Sequence, residues 1–189
     1  MQLFFEAAFI AAWGALYAVW FIAARSSKPA ERTTSSVTRL LQSAIIIAGY
    51  FLISGYGNLG RLSSSLWPQT VAIAGVGLAL TCAGVAFAIW ARLTLGSNWS
   101  GKPMVKQGHE LIVRGPYALA RHPIYTGMLL ATLGTGIAVD QLRILAGLAL
   151  VLLAFAIKIR QEERLMLETF PGQYPEYRRR VKALIPGLF

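Results

Sequence analysis

The chain has 189 residues, of which 56% are hydrophobic and only 14% are charged, and its mean hydropathy is +0.54. This composition excludes an ordinary soluble domain of the same size. The net charge of +10 does not indicate nucleic-acid binding, because the 18 lysines and arginines lie between hydrophobic segments and not along one polar face. We therefore expect one compact membrane domain with no nucleic-acid partner.

Five hydrophobic segments are predicted to form membrane helices, because crossing a hydrocarbon core about 30 Å thick takes roughly 20 apolar helical residues. The third segment is rich in Ala and Gly, small residues that let neighbouring helices approach closely. Only Asp140 and Gln141 separate the fourth segment from the fifth, which predicts a tight helical hairpin of two short segments. The segments cover residues 4–24, 40–56, 71–91, 124–139 and 142–159.

A polar region follows the third segment. From Arg92 to Pro123 the chain is punctuated by Gly and Pro and has no apolar run of membrane length, so it must lie outside the hydrocarbon core. The fifth segment has no helix breaker before Phe170, so its helix is predicted to leave the membrane and to carry Glu162 and Glu163 into water. The chain is thus predicted to be all-α, with three transmembrane helices in residues 1–91 and a functional region in residues 92–189.

The basic residues predict the orientation in the membrane. Sixteen of the 18 lysines and arginines lie in the first loop, the polar region after the third segment and the C-terminal tail, whereas the other side has only Arg61 and Arg143. Loops rich in lysine and arginine stay in the cytosol. The distribution therefore predicts five spans in an inner or plasma membrane, with the N-terminus outside and the C-terminus in the cytosol.

Both histidines, His109 and His122, fall in the polar region, together with Tyr117 and Tyr125. The sequence has no H-x-x-x-H or H-E-x-x-H pattern, and two histidines without a carboxylate or cysteine at ligand spacing make a weak metal site, so we predict none. The plain interpretation of Arg121-His122-Pro123 is a turn at the membrane interface, in which Pro123 occupies the first position of the fourth helix. The alternative is that these residues form a binding site.

Two stretches favour the second interpretation. The sequence LGSNWSGKPMVKQGHELIVRGPYALARHPIYTG and the later EERLMLETFPGQYPEYRRRV resemble the C-terminal signature of isoprenylcysteine carboxyl methyltransferases and their bacterial relatives. The resemblance spans about Leu95 to Val181, close to half of the chain. It implies a membrane-embedded enzyme that uses S-adenosylmethionine to methylate a lipophilic or lipidated acceptor among the membrane lipids.

The resemblance also implies which residues bind the cofactor. Its adenosine part would contact His109 and the residues near it, with Tyr117 beside them, and its methionine part would contact the start of the fourth helix. An imidazole donor at His122 suits the cofactor carboxylate, and a glutamate suits its ammonium group. The cofactor residues implied in this way are His109, Leu111, Ile112, Tyr117, His122, Pro123, Ile124, Tyr125 and Glu162.

Lys158 and Arg160 are the candidates for contacting the acceptor. The family pattern places an arginine four residues before the glutamate, whereas here Lys158 holds that position and Arg160 follows two residues later. Lysine keeps the charge but loses the bidentate fork of arginine, which leaves the acceptor's identity open. The alternative for Lys158 is a purely structural lysine that extends its ammonium group from the helix end to the membrane surface.

Two neighbouring features are interpreted as structural. Glu163 is predicted to lie on a solvated helix face and to pair with basic residues of the same helix. Tyr174 and Tyr177, with the arginine run at 178–180, are interpreted as a surface element near anionic lipid.

Three other functions are compatible with the sequence. A phospholipid N-methyltransferase shares the membrane setting and similar motifs, although an amine acceptor needs its proton removed, which a carboxylate or thiolate does not. A reductase of the steroid 5-alpha-reductase type resembles the fold and uses NADPH. A non-enzymatic membrane scaffold would bind neither cofactor. The oligomeric state is not indicated by the sequence.

Overall fold

The computed structural model describes residues 2–25, 36–96, 110–185 and 187, and their regular structure is helical throughout. Single turns of 3-10 helix cover Gly60–Ser63 and Gly115–Ala118. The α-helices are α1 (Gln2–Ala24), α2 (Ser36–Ile53), α3 (Val71–Leu95), α4 (Pro123–Val139), α5 (Arg143–Thr169) and α6 (Gln173–Arg180).

Three of the described helices are long and apolar enough to cross a membrane, namely Leu3–Ala24, Val71–Leu95 and Arg143–Thr169. Leu40–Ile53 and Pro123–Val139 are apolar but shorter. Large hydrophobic side chains point outward from these helices, as expected for a surface that contacts lipid. The exact number of spans and the tight hairpin of the last two segments remain predictions.

Helices α3 and α4 pack backbone against backbone. A Cβ added to Gly84 would lie 2.5 Å from the carbonyl oxygen of Gly127, and one added to Gly77 would lie 2.7 Å from that of Gly134. The buried hydroxyl of Thr81 donates to the Gly77 carbonyl at 2.9 Å, so the polar group at this interface is satisfied. The prediction that small residues of the third segment allow close helix approach is confirmed.

Helix α5 packs chiefly against α2, again through glycines. A Cβ on Gly49 would lie 2.8 Å from Cγ2 of Val151, and one on Gly147 would lie 2.7 Å from Cγ1 of Ile53. Nearer the C-terminal end of α5, Nε2 of the buried Gln42 donates to Oε1 of Gln161 at 2.9 Å. Helix α2 therefore fixes the position of the part of α5 that precedes Glu162.

A buried carboxylate closes the end of the helix bundle where α4 meets α5. Asp140 has left-handed backbone geometry (φ 53) and is 1% exposed. Its carboxylate accepts a hydrogen bond from Ser65 Oγ at 2.8 Å and bonds from the backbone N–H groups of Leu66 and Trp67, both at 2.9 Å. The fully buried Arg143 donates to the carbonyl oxygens of residues 55 and 56. These two side chains hold the connection between α2 and α3.

Replacing Asp140 with alanine is expected to lower the free energy of unfolding by about 2–4 kcal/mol, because two backbone N–H groups and one hydroxyl lose their acceptor. The substitution Ser65→Ala, which removes one of the three bonds, should cost about 1 kcal/mol. Thermal unfolding of the purified protein in detergent measures both effects. Equal stability of the Asp140→Ala protein and the wild type would contradict this role.

Candidate active site at the start of helix α4

Helix α4 begins where the sequence predicts. Pro123 occupies the first helical position, where a missing N–H is tolerated, and His122 is the residue before it. The backbone N–H of His122 donates to the Ala183 carbonyl at 2.9 Å, and that of Arg121 donates to the Lys182 carbonyl at 2.8 Å. These two bonds attach the segment after α6 to the start of α4 and hold His122 in place.

Helix α5 continues past residue 159 to Thr169, as the sequence predicts. Phe155, Lys158 and Glu162 are spaced three and four residues apart, so they share one face. All three contact Tyr125 of α4. The Tyr125 ring stacks on that of Phe155 with centroids 4.8 Å apart, and its hydroxyl donates to Glu162 Oε1 at 2.5 Å. The Lys158 ammonium lies 5.5 Å from the centroid of the Tyr125 ring.

His122 completes this cluster. Its Nδ1 lies 3.5 Å from Oε2 of Glu162, and its ring stacks on Tyr125 with centroids 5.7 Å apart and an interplanar angle of 14°. His122 and Tyr125 are each 8% exposed, whereas the Glu162 side chain is 23% exposed. The structure thus brings together side chains from two distant stretches and leaves one carboxylate within reach of a ligand.

Glu163 is buried, so the prediction of a solvated residue is wrong. Its Oε1 accepts hydrogen bonds from Nε and Nη2 of Arg121 at 2.9 and 2.6 Å, and its Oε2 lies 3.3 Å from Nε of Arg178. The other ring nitrogen of His122, Nε2, lies 3.4 Å from the same carboxylate. These partners come from the segment before α4 and from α6, because the rotation of α5 turns Glu163 toward them.

The tyrosines of α6 are also buried, at 2% exposure for Tyr174 and 4% for Tyr177, so the prediction of a surface element is wrong for them. The Tyr177 hydroxyl donates to the Tyr117 carbonyl at 2.6 Å. Burial raises the pKa of Tyr177, which keeps the hydroxyl protonated as a donor. The arginines at 178–180 lie on the outside of α6, so this helix joins the site to a basic surface.

His122 is held between two carboxylates, and this determines its charge. Burial acts to lower the pKa of His122, but hydrogen bonds and negative charge from Glu162 and Glu163 together outweigh it and raise the pKa above the ordinary 6.5. The stability that the positive charge of His122 contributes is fully present below pH 6.5, the ordinary pKa of histidine. It is lost as the pH rises through the raised value.

The remaining predicted residues lie in different surroundings. Leu111 and Ile112 are half-buried in the chain before the 3-10 turn that holds Tyr117. Tyr117 is buried in this turn, and burial and the negative charge of Glu162 raise its pKa. Ile124 packs on the apolar core around Tyr125. Arg160 is exposed and Lys158 half-buried, and His109 lies outside the described residues.

Sequence reasoning missed the structural roles of Arg121 and Glu163. A signal was present, because each adjoins a predicted cofactor residue: Arg121 precedes His122, and Glu163 follows Glu162. Because His122 meets Glu162 in the fold, their sequence neighbours Arg121 and Glu163 come close to each other as well. The basic side chain and the carboxylate could therefore have been paired.

Comparison with known proteins gives consistent results. A sequence model of the isoprenylcysteine carboxyl methyltransferase (ICMT) family matches residues 77–168. The cobalt-zinc-cadmium resistance protein CzcN of Cupriavidus metallidurans is 38% identical over 59% of this chain and 50% of its own length. Protein-S-isoprenylcysteine O-methyltransferase B of Arabidopsis thaliana is 29% identical over 60% of this chain and 59% of its own length.

A solved structure of the eukaryotic intramembrane Ras methyltransferase ICMT shares the fold, with a TM-score of 0.56 and 24% identity over 82% of this chain and 54% of that one. The apolar helices and this fold define a multi-pass integral membrane protein. The chain is similar to the isoprenylcysteine carboxyl methyltransferase family over residues 77–168 and shares the fold of this solved member. It spans about half to two thirds of the length of the first curated relatives that it matches, CzcN and the nickel-cobalt-cadmium resistance protein NccN of Alcaligenes xylosoxydans xylosoxydans.

Proposed function

We propose that the chain is an integral membrane, S-adenosylmethionine-dependent methyltransferase that methylates a carboxylate on a lipophilic, isoprenylcysteine-like acceptor. The observation that carries this proposal is the approach of His122 to Glu162, at 3.5 Å, from the two stretches that resemble the family signature. Relatives named as protein-S-isoprenylcysteine O-methyltransferases support the reaction class.

The side chains at the site fit the cofactor. S-adenosylmethionine supplies an electrophilic methyl group on a sulfonium, and its methionine part carries an ammonium and a carboxylate. The carboxylate of Glu162, the accessible one of the pair, suits the ammonium group. The positive charge of the His122 imidazolium and the backbone N–H groups that follow Pro123 suit the carboxylate. Leu111, Ile112 and Tyr117 are proposed to contact the adenosine.

The residues of this site would act by alignment and by exclusion of water. An in-line displacement needs its two reactants held in line in a dry site. The stacked rings of Tyr125 and Phe155 form an apolar wall next to the polar cluster, and Tyr125 orients Glu162 through its hydroxyl. A carboxylate acceptor requires no general base.

The charge balance favours an anionic acceptor group. The cluster contains two carboxylates, Glu162 and Glu163, and more basic groups than carboxylates. Its net charge is therefore positive, which attracts an anion. An amine acceptor would be repelled by the same groups. The basic groups are Arg121, His122, Lys158 and Arg178.

We also propose that the five apolar helices span an inner or plasma membrane with the N-terminus outside. With this orientation the site would lie at the cytosolic face, the side on which loops rich in lysine and arginine are normally found. In this arrangement residues 1–91 form the membrane scaffold and residues 92–189 the methyltransferase region. A polar cofactor from the cytosol and a lipophilic acceptor from the bilayer would meet at the interface.

A radiolabelled methyl group tests the reaction. Purified protein in detergent should transfer the methyl group of S-adenosylmethionine to a prenylcysteine analogue and not to extracted phospholipids. Label in phospholipid would identify an N-methyltransferase. Binding of NADPH in place of S-adenosylhomocysteine would identify a reductase, and binding of neither compound would leave a non-enzymatic scaffold.

The two candidate acceptor residues can be separated by substitution. Lys158→Met is expected to lower kcat/KM for the prenylcysteine analogue about 100-fold, because an anion would lose a charge partner in a partly buried site. The affinity for S-adenosylhomocysteine should change by less than about threefold, and Lys158→Arg should retain most activity. Arg160→Gln, at an exposed position, should be nearly neutral. The reverse ranking of Lys158 and Arg160 would assign the acceptor contact to Arg160.

A further inference from the structure

The structure assigns to Glu163 a positioning role: it holds His122 as a doubly protonated imidazolium, turned so that Nδ1 faces Glu162. What this imidazolium would do for a ligand rests on the proposed function, whereas its charge and orientation do not. The first observation is geometric. The two ring nitrogens of His122 face two different carboxylates, at 3.5 Å for Nδ1 and 3.4 Å for Nε2.

A neutral imidazole cannot satisfy this arrangement. It has an N–H on one nitrogen and a lone pair on the other, so one lone pair would face a carboxylate in a buried site. The imidazolium has an N–H on both nitrogens and matches both carboxylates. A doubly protonated His122 cannot accept a proton, which excludes it as a general base and leaves it as a cationic donor.

Glu163 is itself held in place by groups outside α5. Arg121 donates two hydrogen bonds to one of its oxygens, and Arg178 approaches the other. The guanidinium of Arg121 also donates to the carbonyl oxygens of Arg178 and Val181. The orientation of His122 therefore depends on α6 and on the segment after it, which are joined to the site through Glu163.

Among the described residues, no other carboxylate approaches the His122 ring within ion-pair distance. The remaining groups act on the two glutamates or stack on the ring, and the raised pKa of His122 reflects their combined effect. The titratable and charged groups that face this histidine and its two carboxylates are Glu162, Glu163 and Lys158 of α5, Tyr125 of α4, Arg121 before α4, Tyr117 of the 3-10 turn, and Tyr174 and Arg178 of α6.

Nitrogen NMR of the wild-type protein gives the first test. The chain has only two histidines, so the spectrum of a His109→Gln variant identifies the His122 signals in detergent. We expect both ring nitrogens of His122 to be protonated at pH 7 and the titration midpoint to lie above 6.5. A single protonated nitrogen at pH 7 would overturn the inference without the need for any Glu163 variant.

The substitution Glu163→Gln tests the cause. Loss of this charge should lower the titration midpoint of His122 by about one pH unit or more. Glu163→Asp keeps the charge and should retain most of the effect. Glu168→Gln, an exposed carboxylate on the same helix, is the matched control and should leave the midpoint unchanged. A folded Glu163→Gln protein with the wild-type midpoint would overturn the assignment.

Binding of S-adenosylhomocysteine separates this inference from the proposed function. If the wild type binds it, Glu163→Gln should bind it more weakly. The affinity should also begin to fall at a lower pH than in the wild type, and the size of this shift should equal the change in the His122 titration midpoint. Binding that is identical in both proteins at every pH would overturn the positioning role. If the wild type does not bind at all, the proposed function fails, and the NMR titration still decides the state of His122.

Discussion

Replacing Glu162 with alanine is expected to weaken S-adenosylhomocysteine binding by about 100-fold and to remove methyl transfer. Removal of one partner from a buried, hydrogen-bonded charge pair costs roughly 2–5 kcal/mol; Glu162 is partly exposed, so we expect about 3 kcal/mol, which corresponds to a factor of more than 100. The Glu162 carboxylate accepts a hydrogen bond from the Tyr125 hydroxyl at 2.5 Å and lies 3.5 Å from Nδ1 of His122. The variant would therefore lose the proposed ammonium partner and the orientation of both neighbours.

Isothermal calorimetry in detergent measures this effect. Glu162→Gln is the more conservative variant, because the amide oxygen can still accept from Tyr125 while the charge is lost. Glu168→Ala changes an exposed carboxylate six residues further along the same helix and should bind normally. Wild-type affinity in the Glu162→Ala protein would remove Glu162 from the cofactor site.

Replacing Gly84 with alanine is expected to destabilise the protein by about 1–3 kcal/mol, and replacing it with leucine should prevent folding. A Cβ at this position would lie 2.4 Å from the backbone nitrogen of Ala131 and 2.5 Å from the carbonyl oxygen of Gly127. Both contacts are with backbone, so a side-chain rotation cannot relieve them, and α3 must move away from α4. Part of the packing free energy between these two helices would therefore be lost.

Gly75 is the matched control for this prediction. It lies on the same helix, and a Cβ there would meet nothing within 4 Å. Gly75→Ala should therefore be neutral or stabilising by up to about 1 kcal/mol, since alanine has the higher helix propensity. Thermal unfolding in detergent compares the two alanine variants. Equal effects at both positions would show that close backbone approach does not limit the packing of α3 on α4.

Local pattern predicted the helices well. Hydropathy located the five apolar segments, and the observed α1, α3 and α4 begin or end within a few residues of the expected positions. Pro123 opens α4 because its fixed backbone angle and missing N–H suit only the first turn of a helix. Helix α5 passes residue 159 because its chain contains no breaker before Pro171.

The meeting of His122 with Glu162 was predicted in a different way. Nothing in the 39 residues between them determines their distance, and the resemblance to a known family supplied the expectation. The structure places them at 3.5 Å because α2 holds α5 and the segment after α6 holds the start of α4. Their roles in cofactor binding remain predictions, as do those of Lys158 and Arg160.

The sequence by itself determined which stretches are apolar, where helices can start and which polar side chains lie near the ends of helices. The tertiary structure alone decided which of two adjacent glutamates is buried. Successive residues on a helix point about 100° apart, so Glu162 and Glu163 project in different directions and differ in burial. The rotation of α5 is set by its packing on α2 and by its contacts with Tyr125, and this rotation turns Glu163 into a buried ion cluster. Hydropathy and local spacing contain no information about that angle.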